Sequence, residues 1–348
     1  MHAQNYRNPR HIRMFASTSD DPAVNLAAEE LLFSLVGQKD VFLHLYTNRK
    51  SVVIGKHQNT WKECAIGELR DAGVDIMRRI SGGGTVFHDP GNLNFSFLMD
   101  SAIFDKQSNL AVIVRALAKL GIEARANERG DILVDGRKVS GNAMAMKKGR
   151  VLHHGTLLVS ADLGGLKRSI DGWRGRISTR AVESKPVPVA NLSDSYPGLT
   201  VAEVTTAVRA EFGITWKADP EVEQIMSAVD GEAVREAAKS YRSWEWTYGR
   251  SPKFDADLPF PTEQGVIRLG VEDGVIRSVS CCSDPDDCVI SDVLTGKRFD
   301  SGAVSAGCRQ WLSSDTQGGS PGGCSLVPGY SRYELVSALD RLAQSHAF

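Results

Sequence analysis

Three successive glycines, preceded by two arginines, are the first feature of the sequence that suggests chemistry. Residues 78–89 read RRISGGGTVFHD. Glycine has no Cβ, so its N–H groups can line a concavity around an anion, and an arginine can hold a phosphate or carboxylate through two parallel hydrogen bonds. The spacing is neither that of a P-loop nor that of a dinucleotide-binding fingerprint. Because three glycines are also typical of a flexible turn, that alternative stays open.

Lys138 is a second candidate, in the segment GRKVSG at 136–141. A lysine on this predicted strand points either into solvent, as most lysines do, or into a pocket as a fixed positive charge. The small residues Ser140 and Gly141 allow a close approach of the backbone, which favours the pocket.

Two adjacent histidines, His153 and His154, lie on another predicted strand, shortly before Thr156. Neighbouring residues of a strand point to opposite faces, so the two cannot ligate one metal ion, and we expect no metal site. One of them either faces a site as a hydrogen-bond partner or is simply a buried histidine with its hydrogen bonds satisfied.

The sequence does not indicate a covalent nucleophile. Ser140 is not part of a GxSxG elbow, and Cys64 follows Trp61-Lys62-Glu63 in a setting that suits a helix start better than a reactive thiolate. The six cysteines form no CxxC pair, and a chain of this size builds a core without disulfides. We therefore expect a reducing compartment.

The composition is that of an ordinary globular protein. The 348 residues are 42% hydrophobic and 24% charged, which allows two domains at roughly 100–200 residues each. With 41 basic and 42 acidic residues the net charge is -1, so we expect neither nucleic acid nor a membrane as partner. Arg7, Arg10 and Arg13 near the start favour either a mitochondrial transit segment or a basic lead-in to the first strand.

Several elements must position these residues. Asp21-Pro22 predicts the start of a helix. Its apolar face would consist of Val24, Ala28, Leu31, Leu32 and Leu35. Strands are predicted at 41–46 and 51–55, and a second helix at 110–120. Residues 92–99 alternate between apolar and polar, which predicts a half-buried strand with a polar face available to a site.

Turn residues set the rest of the pattern. Asp135-Gly136 and Lys148-Gly149 predict two hairpins within 131–159, and Asp273-Gly274 predicts a third. Residues 172–198 predict a long mobile loop, and Ser331 with Glu334 predicts the capping box of a last helix. The composition shifts near residue 250. We therefore predict an α+β protein with a large mixed-sheet domain at 1–250 and a small α+β domain at 251–348.

Taken in order, three segments resemble the lipoate–protein ligase and mitochondrial lipoyltransferase family, within the biotin/lipoate protein ligase fold. They are RRISGGGTVFHDPGNLNFSF, GDILVDGRKVSG and LHHGTLLVSADL, which begin at residues 78, 130 and 152. The match extends to VIG at 53–55, WKEC at 61–64, VANL at 189–192 and WEWTYG at 244–249.

The resemblance implies an ATP-dependent lipoate–protein ligase. Lipoate would react with ATP, accompanied by Mg²⁺, to give bound lipoyl-AMP, from which the lipoyl group passes to a lysine of an apo lipoyl domain. Lys138 would be the catalytic residue, Phe87 would lie against the lipoyl chain, and the loop at 172–198 would cover the adenylate. The contacts to substrate or intermediate implied by the family are Arg79, Ser81, Gly82, Gly83, Gly84, Thr85, Val86, Phe87, His88, Arg129, Asp131, Lys138, His154, Thr156 and Val182.

One departure leaves the activity open. Bacterial ligases usually carry Asn-Asp where this chain has Gly130-Asp131, while the related mitochondrial lipoyltransferases carry an arginine at the position of Arg129. The alternatives are therefore a lipoyltransferase that uses preformed lipoyl-AMP or lipoyl and octanoyl groups from another protein, and a non-catalytic binder of lipoylated proteins. A biotin ligase is a weaker alternative, because its arginine-rich glycine loop is not present.

The resemblance also implies the partners. They would be the apo lipoyl domains of E2 subunits of 2-oxoacid dehydrogenases and the H protein of glycine cleavage. We expect a monomer in the mitochondrion, with the cytoplasm as the alternative compartment.

Overall fold

The structure is a computed structural model that describes residues 9–165, 176–185, 187–219, 221–259, 266–281 and 289–314. No helix in these ranges is long and apolar enough to cross a membrane. The strands are β1 (Ile12–Ala16), β2 (Val41–Tyr46), β3 (Ser51–Ile54), β4 (Asp75–Arg78), β5 (Val86–His88), β6 (Asn92–Asp100), β7 (Ala124–Ala126), β8 (Ile132–Val134), β9 (Arg137–Ser140), β10 (Asn142–Lys147), β11 (Arg150–Leu158), β12 (Ile177–Thr179), β13 (Val222–Gln224), β14 (Phe254–Pro259), β15 (Val266–Glu272) and β16 (Val275–Cys281). The helices are α1 (Pro22–Leu35), α2 (Thr60–Glu63), α3 (Ile66–Asp71), α4 (Lys106–Lys119), α5 (Leu192–Ser195), α6 (Val201–Trp216), α7 (Ile225–Ala228), α8 (Gly231–Arg242), α9 (Trp244–Thr247), α10 (Val289–Leu294) and α11 (Ser301–Ser314).

The chain forms two compact units. The first comprises Met1–Lys56, Asp75–Leu166 and Ser184–Ser243, and the second comprises His57–Val74, Lys167–Glu183 and Trp244–Phe348. Compactness does not show which segment would fold on its own, so the domain boundary near residue 250 stays a prediction.

A six-stranded mixed sheet in the order β10-β11-β6-β2-β1-β13 is the centre of the first unit. Phe97 of β6 lies between His153 of β11 and Leu43 of β2, and packs in the main core with Phe212 of α6. The strand at 92–99 is present, but the prediction that it is half-buried was wrong, because both of its faces are buried. Its polar face lies under α1, where Ser96 donates a hydrogen bond to Glu29.

Helix α1 begins as predicted, with the Asp21 side chain accepting hydrogen bonds from the N–H groups of Ala23 and Val24. The predicted apolar face was partly wrong, because Leu35 is 54% exposed. Asn25 and Glu29, one helical turn apart, are instead fully buried. Two polar residues in the buried face need internal hydrogen-bond partners. Asn25 Nδ2 donates to Asn48 Oδ1 and to the carbonyl oxygens of Ser19 and Thr47, and the partners of Glu29 lie at the site described below.

Two small three-stranded sheets, β4-β3-β5 and β7-β8-β9, carry the remaining candidate residues of the first unit. The predicted hairpin turns are confirmed: Asp135-Gly136 has φ of 50° and 74°, and Lys148-Gly149 has 51° and 75°. Two consecutive residues in the left-handed region are typical of type I′ turns, whose twist matches that of the flanking strands. The first of these turns returns the chain with Lys138 on β9.

The second unit contains the sheet β12-β14-β15-β16 and the confirmed hairpin at Asp273-Gly274. Its core surrounds Trp61, which packs against Phe254 and Phe299.

The prediction of one long mobile loop at 172–198 was wrong for the described part of that segment. Strand β12 pairs with β14, Val189 forms a bridge with Lys138, and α5 follows directly. Residues 172–175 and 186, and the helix predicted from Ser331, lie outside the described residues.

Candidate active site

The glycine loop, residues 81–85, lies between β4 and β5, and hydrogen bonds from the Arg79 side chain hold its conformation. The Arg79 side chain is buried, and all three of its guanidinium nitrogens donate to protein oxygens. The acceptors are Ser81 Oγ at 3.0 Å and the carbonyl oxygens of Val53, Gly82 and Gly84 at 3.0, 2.7 and 2.7 Å. These carbonyls are turned inward, and Gly83 has a φ of 91°. Arg79 therefore uses its guanidinium group to hold the loop, and its N–H donors already bind protein oxygens. The predicted contact of Arg79 with the adenylate stays a prediction.

The second arginine of the pair also points inward. Arg78 is fully buried and donates to the carbonyl oxygen of Gly55 at 3.1 Å. A Cβ at Gly55 would overlap the carbonyl oxygen of Gly83, so this position requires a glycine for the loop to close. What the loop offers an anion is its backbone, because the N–H groups of Gly82, Gly83 and Gly84 have no acceptor among the described residues.

A buried hydrogen-bonded chain links α1 to the glycine loop. His154 Nδ1 lies 3.0 Å from both carboxylate oxygens of Glu29, and His154 Nε2 lies 2.6 Å from Ser81 Oγ. Ser81 in turn accepts from Arg79. Of the two adjacent histidines, His154 is thus the one that reaches the loop, while His153 points into the core beside Phe97.

Burial and charge shift the pKa values around this chain. Burial would raise the pKa of Glu29, but the charge and hydrogen bond of His154, together with Ser96, hold it below its ordinary value. Burial lowers the pKa of Arg79 to about 10, which leaves it protonated at neutral pH. Burial also lowers the pKa of His44 to about 4, and burial with the positive charge of Arg79 lowers that of His88 to about 3, so both are neutral. The site therefore holds one buried carboxylate whose pKa is lowered by its hydrogen-bond partners.

Three of the predicted residues, Val86, Phe87 and His88, form strand β5, and their side chains point to its two faces. His88 Nδ1 lies 2.9 Å from Asn48 Nδ2, and its Nε2 has no partner among the described residues. Phe87 points to the opposite face, where its ring lies close to Gly165. The structure therefore does not bring Phe87 to the Glu29–His154 pair, and its contact with a lipoyl chain stays a prediction. Val86 is partly buried at the start of the strand.

Lys138 and Asp131 form the second part of the site. Lys138 Nζ lies 2.7 Å from Asp131 Oδ1, and both side chains are mostly buried. The Lys138 amine also lies against the backbone of Gly141, whose N–H points towards Thr156 Oγ1 at 3.5 Å. Of the two alternatives for Lys138, the pocket is the correct one.

The pocket is a cavity of about 450 Å³. It is lined by Asn127, Glu128, Arg129, Asp131, Leu133, Gly136, Arg137, Lys138, Val187 and Pro188. Within the described parts of the chain, no cluster of three or more histidine, cysteine or acidic side chains could hold a metal ion.

Two predicted contacts are made by residues outside these groups. Thr85 N–H donates to Ser184 Oγ at 2.9 Å, so a residue that follows β12 in the chain contacts the end of the glycine loop. Val182 lies in the second unit, where its N–H donates to the carbonyl oxygen of His57, and its place at the site stays a prediction.

Glu29, Asn142 and Ser184 are site residues that the sequence did not reveal. The one available signal was the pair of polar residues Asn25 and Glu29, spaced by one turn on an otherwise apolar helix. A polar residue on a buried helix face requires a partner, but the sequence does not show where that partner lies.

Comparison with known proteins agrees with this geometry. Residues 21–213 match the family model of the lipoyl protein ligase A/B catalytic domain. A lipoate-protein ligase A of Bdellovibrio bacteriovorus is 34% identical over an alignment of 307 residues that covers 84% of this chain and 90% of the relative.

Solved structures agree as well. A crystal structure of lipoate-protein ligase A bound with ATP superposes with a TM-score of 0.59 at 27% identity, over 69% of this chain and 100% of that one. The archaeal bipartite lipoate protein ligase of Thermoplasma acidophilum, studied with its E2 lipoyl domain, gives 0.58 at 26% identity over 70% and 97%. The glycine loop, the His154 strand and the Lys138 hairpin all lie within the matched range, and the α+β fold is confirmed. The chain belongs to the lipoyl protein ligase A/B family.

Proposed function

We propose that this enzyme of the lipoate–protein ligase type joins lipoate to a lysine of an apo lipoyl domain with ATP as the energy source. The observation that carries the proposal is Lys138, held by Asp131 at the wall of a 450 Å³ cavity. The glycine loop supplies backbone N–H groups for an anion, and the ATP-bound relative shares this fold.

The reaction has two steps. A carboxylate oxygen of lipoate forms a bond to the α-phosphorus of ATP, and the bond from that phosphorus to the bridging oxygen breaks, releasing pyrophosphate. The ε-amine of the acceptor lysine then forms an amide with the acyl carbon of lipoyl-AMP, loses a proton and releases AMP. Both steps develop negative charge on oxygen atoms, so fixed positive groups stabilise them.

Lys138 can serve both steps. An ammonium group has three N–H donors, and one of them is used by Asp131 at 2.7 Å. The other two can bind the phosphate and the acyl carbonyl of the adenylate. Asp131 sets the direction of these donors, so Lys138 acts as a point charge and not as a nucleophile.

Mg²⁺ that arrives with ATP needs only one or two protein carboxylates besides the phosphates. Glu128 and Asp131 are the carboxylates that line the cavity. Because Asp131 pairs with Lys138, Glu128 is the carboxylate that would hold the ion. When bound, the ion would neutralise charge on the phosphates.

A lipoyltransferase is the second candidate function. It is favoured by Gly130, because this position has no side chain where related ligases have an asparagine. Such an enzyme would carry out the second step from preformed lipoyl-AMP. The proposed acceptors for either activity are E2 lipoyl domains and the glycine-cleavage H protein.

The test is the intact mass of a purified apo lipoyl domain after incubation with the enzyme, lipoate, Mg²⁺ and ATP. A parallel sample receives synthetic lipoyl-AMP in place of lipoate and ATP. A lipoyl mass increase in both samples supports the ligase, and an increase with the adenylate alone supports the transferase. No increase in either sample would refute both functions and favour a binder.

The same assay tests Lys138. We expect Lys138→Ala to remain folded and to lose modification by on the order of 10²–10³-fold, the cost of removing one donor to a developing oxyanion. Lys147→Ala, at the exposed end of the neighbouring strand β10, is the matched control and should retain full activity. Unchanged transfer by Lys138→Ala would remove this lysine from the mechanism.

A further inference from the structure

The carboxylate that orients Lys138 is carried by a short turn, residues 127–131, between β7 and β8. The turn is closed by its own hydrogen bonds: the Asp131 N–H donates to Asn127 Oδ1, and the Asn127 and Gly130 N–H groups donate to the carbonyl oxygens of Asp131 and Asn127, each at 2.9 Å. Gly130 has a φ of 96°. These bonds fix the shape of the turn, but they do not fix its direction relative to β9, where Lys138 lies.

Two side chains from other elements hold the turn from outside. Lys106, the first residue of α4, donates from Nζ to the carbonyl oxygen of Arg129 at 2.7 Å. Asn142, the first residue of β10, donates from Nδ2 to the carbonyl oxygen of Gly130 at 2.5 Å. A Cβ at Gly130 would lie 2.5 Å from Lys106 Nζ, so the lysine occupies the space that a side chain there would need.

The amide of Asn142 is itself oriented by the core. His153 Nε2 lies 3.3 Å from Asn142 Oδ1, and His153 Nδ1 lies 3.4 Å from Asn109 Nδ2. An amide nitrogen can only donate, so Nδ1 accepts from Asn109 and Nε2 carries the proton that is donated to Asn142. This chain directs the Asn142 NH₂ group to Gly130. Burial, with the positive charges of His154 and Lys106, lowers the pKa of His153 to about 3 and keeps it in this neutral form.

We propose that Lys106 and Asn142 are positioning residues of the reaction: by holding the two carbonyl groups that precede Asp131, they aim its carboxylate at Lys138 and so fix the lysine for both steps. The inference rests on the function proposed above and assigns a role to two residues that are not part of the cavity lining. Lys106→Met removes the donor and retains most of the volume of the side chain.

The expected result is a fall in kcat of about 10- to 100-fold for lipoyl transfer from lipoyl-AMP, with KM for the lipoyl domain unchanged, because the lysine is misdirected while the docking surface is intact. Lys106→Arg keeps a cationic donor and should recover most of the rate. Lys119→Met is the matched control: it removes a lysine from the last turn of the same helix, where Nζ contacts Glu211 at 2.7 Å, and should leave kcat unchanged.

A double-mutant cycle separates positioning from general destabilisation. If Lys106 acts through Asp131, then Lys106→Met should add less than about twofold to the loss already caused by Asp131→Asn. The proposal would be overturned if the loss of kcat in the double variant equalled the product of the losses in the two single variants. It would also be overturned if the Lys106→Met enzyme were as active as Lys119→Met.

A readout without substrate distinguishes this inference from the proposed function. In ¹H–¹⁵N spectra, the amide signals of Gly130 and Asp131 should shift in Lys106→Met and stay in place in Lys119→Met. Unchanged signals would overturn the inference even in an active enzyme. A wild-type protein that modifies no lipoyl domain would refute the proposed function, and with it the catalytic role of the two residues, even if the turn signals respond as expected.

Discussion

Replacing Arg79 with lysine is the most direct test of how the glycine loop is held. The substitution keeps the positive charge that faces Glu29, but it removes the planar fork. Arg79 makes four hydrogen bonds from three nitrogen atoms, two of them from Nη2 to the carbonyl oxygens of Gly82 and Gly84 at 2.7 Å. A single ammonium nitrogen cannot reach acceptors distributed around a guanidinium group, so arginine and lysine are not interchangeable at this position.

The magnitude follows from the contacts that lysine cannot replace. An ammonium group placed near the two loop carbonyls leaves Val53 O without its side-chain donor, whereas Ser81 Oγ loses one contact and keeps the one with His154 Nε2. A buried polar group that loses its partner costs about 1–3 kcal/mol, so the loss of the donor to Val53 O costs roughly 1–3 kcal/mol of unfolding free energy. The loop carbonyls would also lose their fixed direction. We therefore expect a loss of activity in the protein that remains folded.

The assay is urea unfolding at pH 7.5, followed by far-UV circular dichroism, with lipoyl transfer measured on the same samples. Arg115→Lys is the control, because it makes the same arginine-to-lysine change at a side chain that is 45% exposed and lies away from the glycine loop, where it pairs with Glu211. If Arg79→Lys is no less stable than Arg115→Lys and retains full activity, Arg79 does not organise the loop and the argument above fails.

Two further predictions concern stability alone. Burial lowers the pKa of His44 to about 4, below its ordinary value near 6.5. The unfolded chain therefore binds a proton at this residue before the folded protein does. The stability that neutral His44 contributes is present above pH 6.5 and is lost as the pH falls towards 4, by up to about 1.4 kcal/mol per pH unit. His44→Leu should reduce the slope of unfolding free energy against pH between 6.5 and 5 by that amount. His57→Gln, in the second unit, is the control. An unchanged slope in His44→Leu would show that the imidazole is protonated in the folded protein at the same pH as in the unfolded chain. Arg13 binds Glu223 through two hydrogen bonds at 2.7 and 2.6 Å and so connects β1 to the edge strand β13. Arg13→Met should therefore increase the rate of amide hydrogen exchange at residues 222–224. An unchanged exchange rate there would show that the ion pair does not stabilise the edge strand.

The parts of the fold that the sequence predicted well depend on local chemistry. Asp135-Gly136 and Asp273-Gly274 adopt positive φ at both residues, a conformation that few other dipeptides reach, so the turns can be located without knowing their surroundings. The start of α1 is similar, because Asp21 caps the N–H groups that follow it directly in the chain. In each case the physical cause lies within four residues of its effect.

Burial could not be predicted in the same way. The alternation at 92–99 correctly indicates a strand with one polar face, but polarity does not show what covers a face. Glu29 of α1 lies over that polar face and accepts from Ser96, so the polar side is as buried as the apolar side. The apolar face expected for α1 was partly wrong for the same reason, since Asn25 and Glu29 take buried positions while Leu35 is exposed.

The site itself depends on contacts between distant residues. Ser81 and His154 are separated by 73 positions, and Glu29 and His154 by 125. Arginine in front of three glycines suggested an anion site, which stays a prediction. In the structure the guanidinium of Arg79 has turned inward, because the loop carbonyls that it holds are buried polar groups and need a donor. Lys138 shows the converse. Its sequence surroundings left solvent and pocket both open, and the choice was made by Asp131 across a hairpin and by Gly141, which lets the amine lie against the backbone. Residue type therefore indicated which chemistry is available, whereas the hydrogen-bond partners supplied by other elements decide which atom is presented to the substrate.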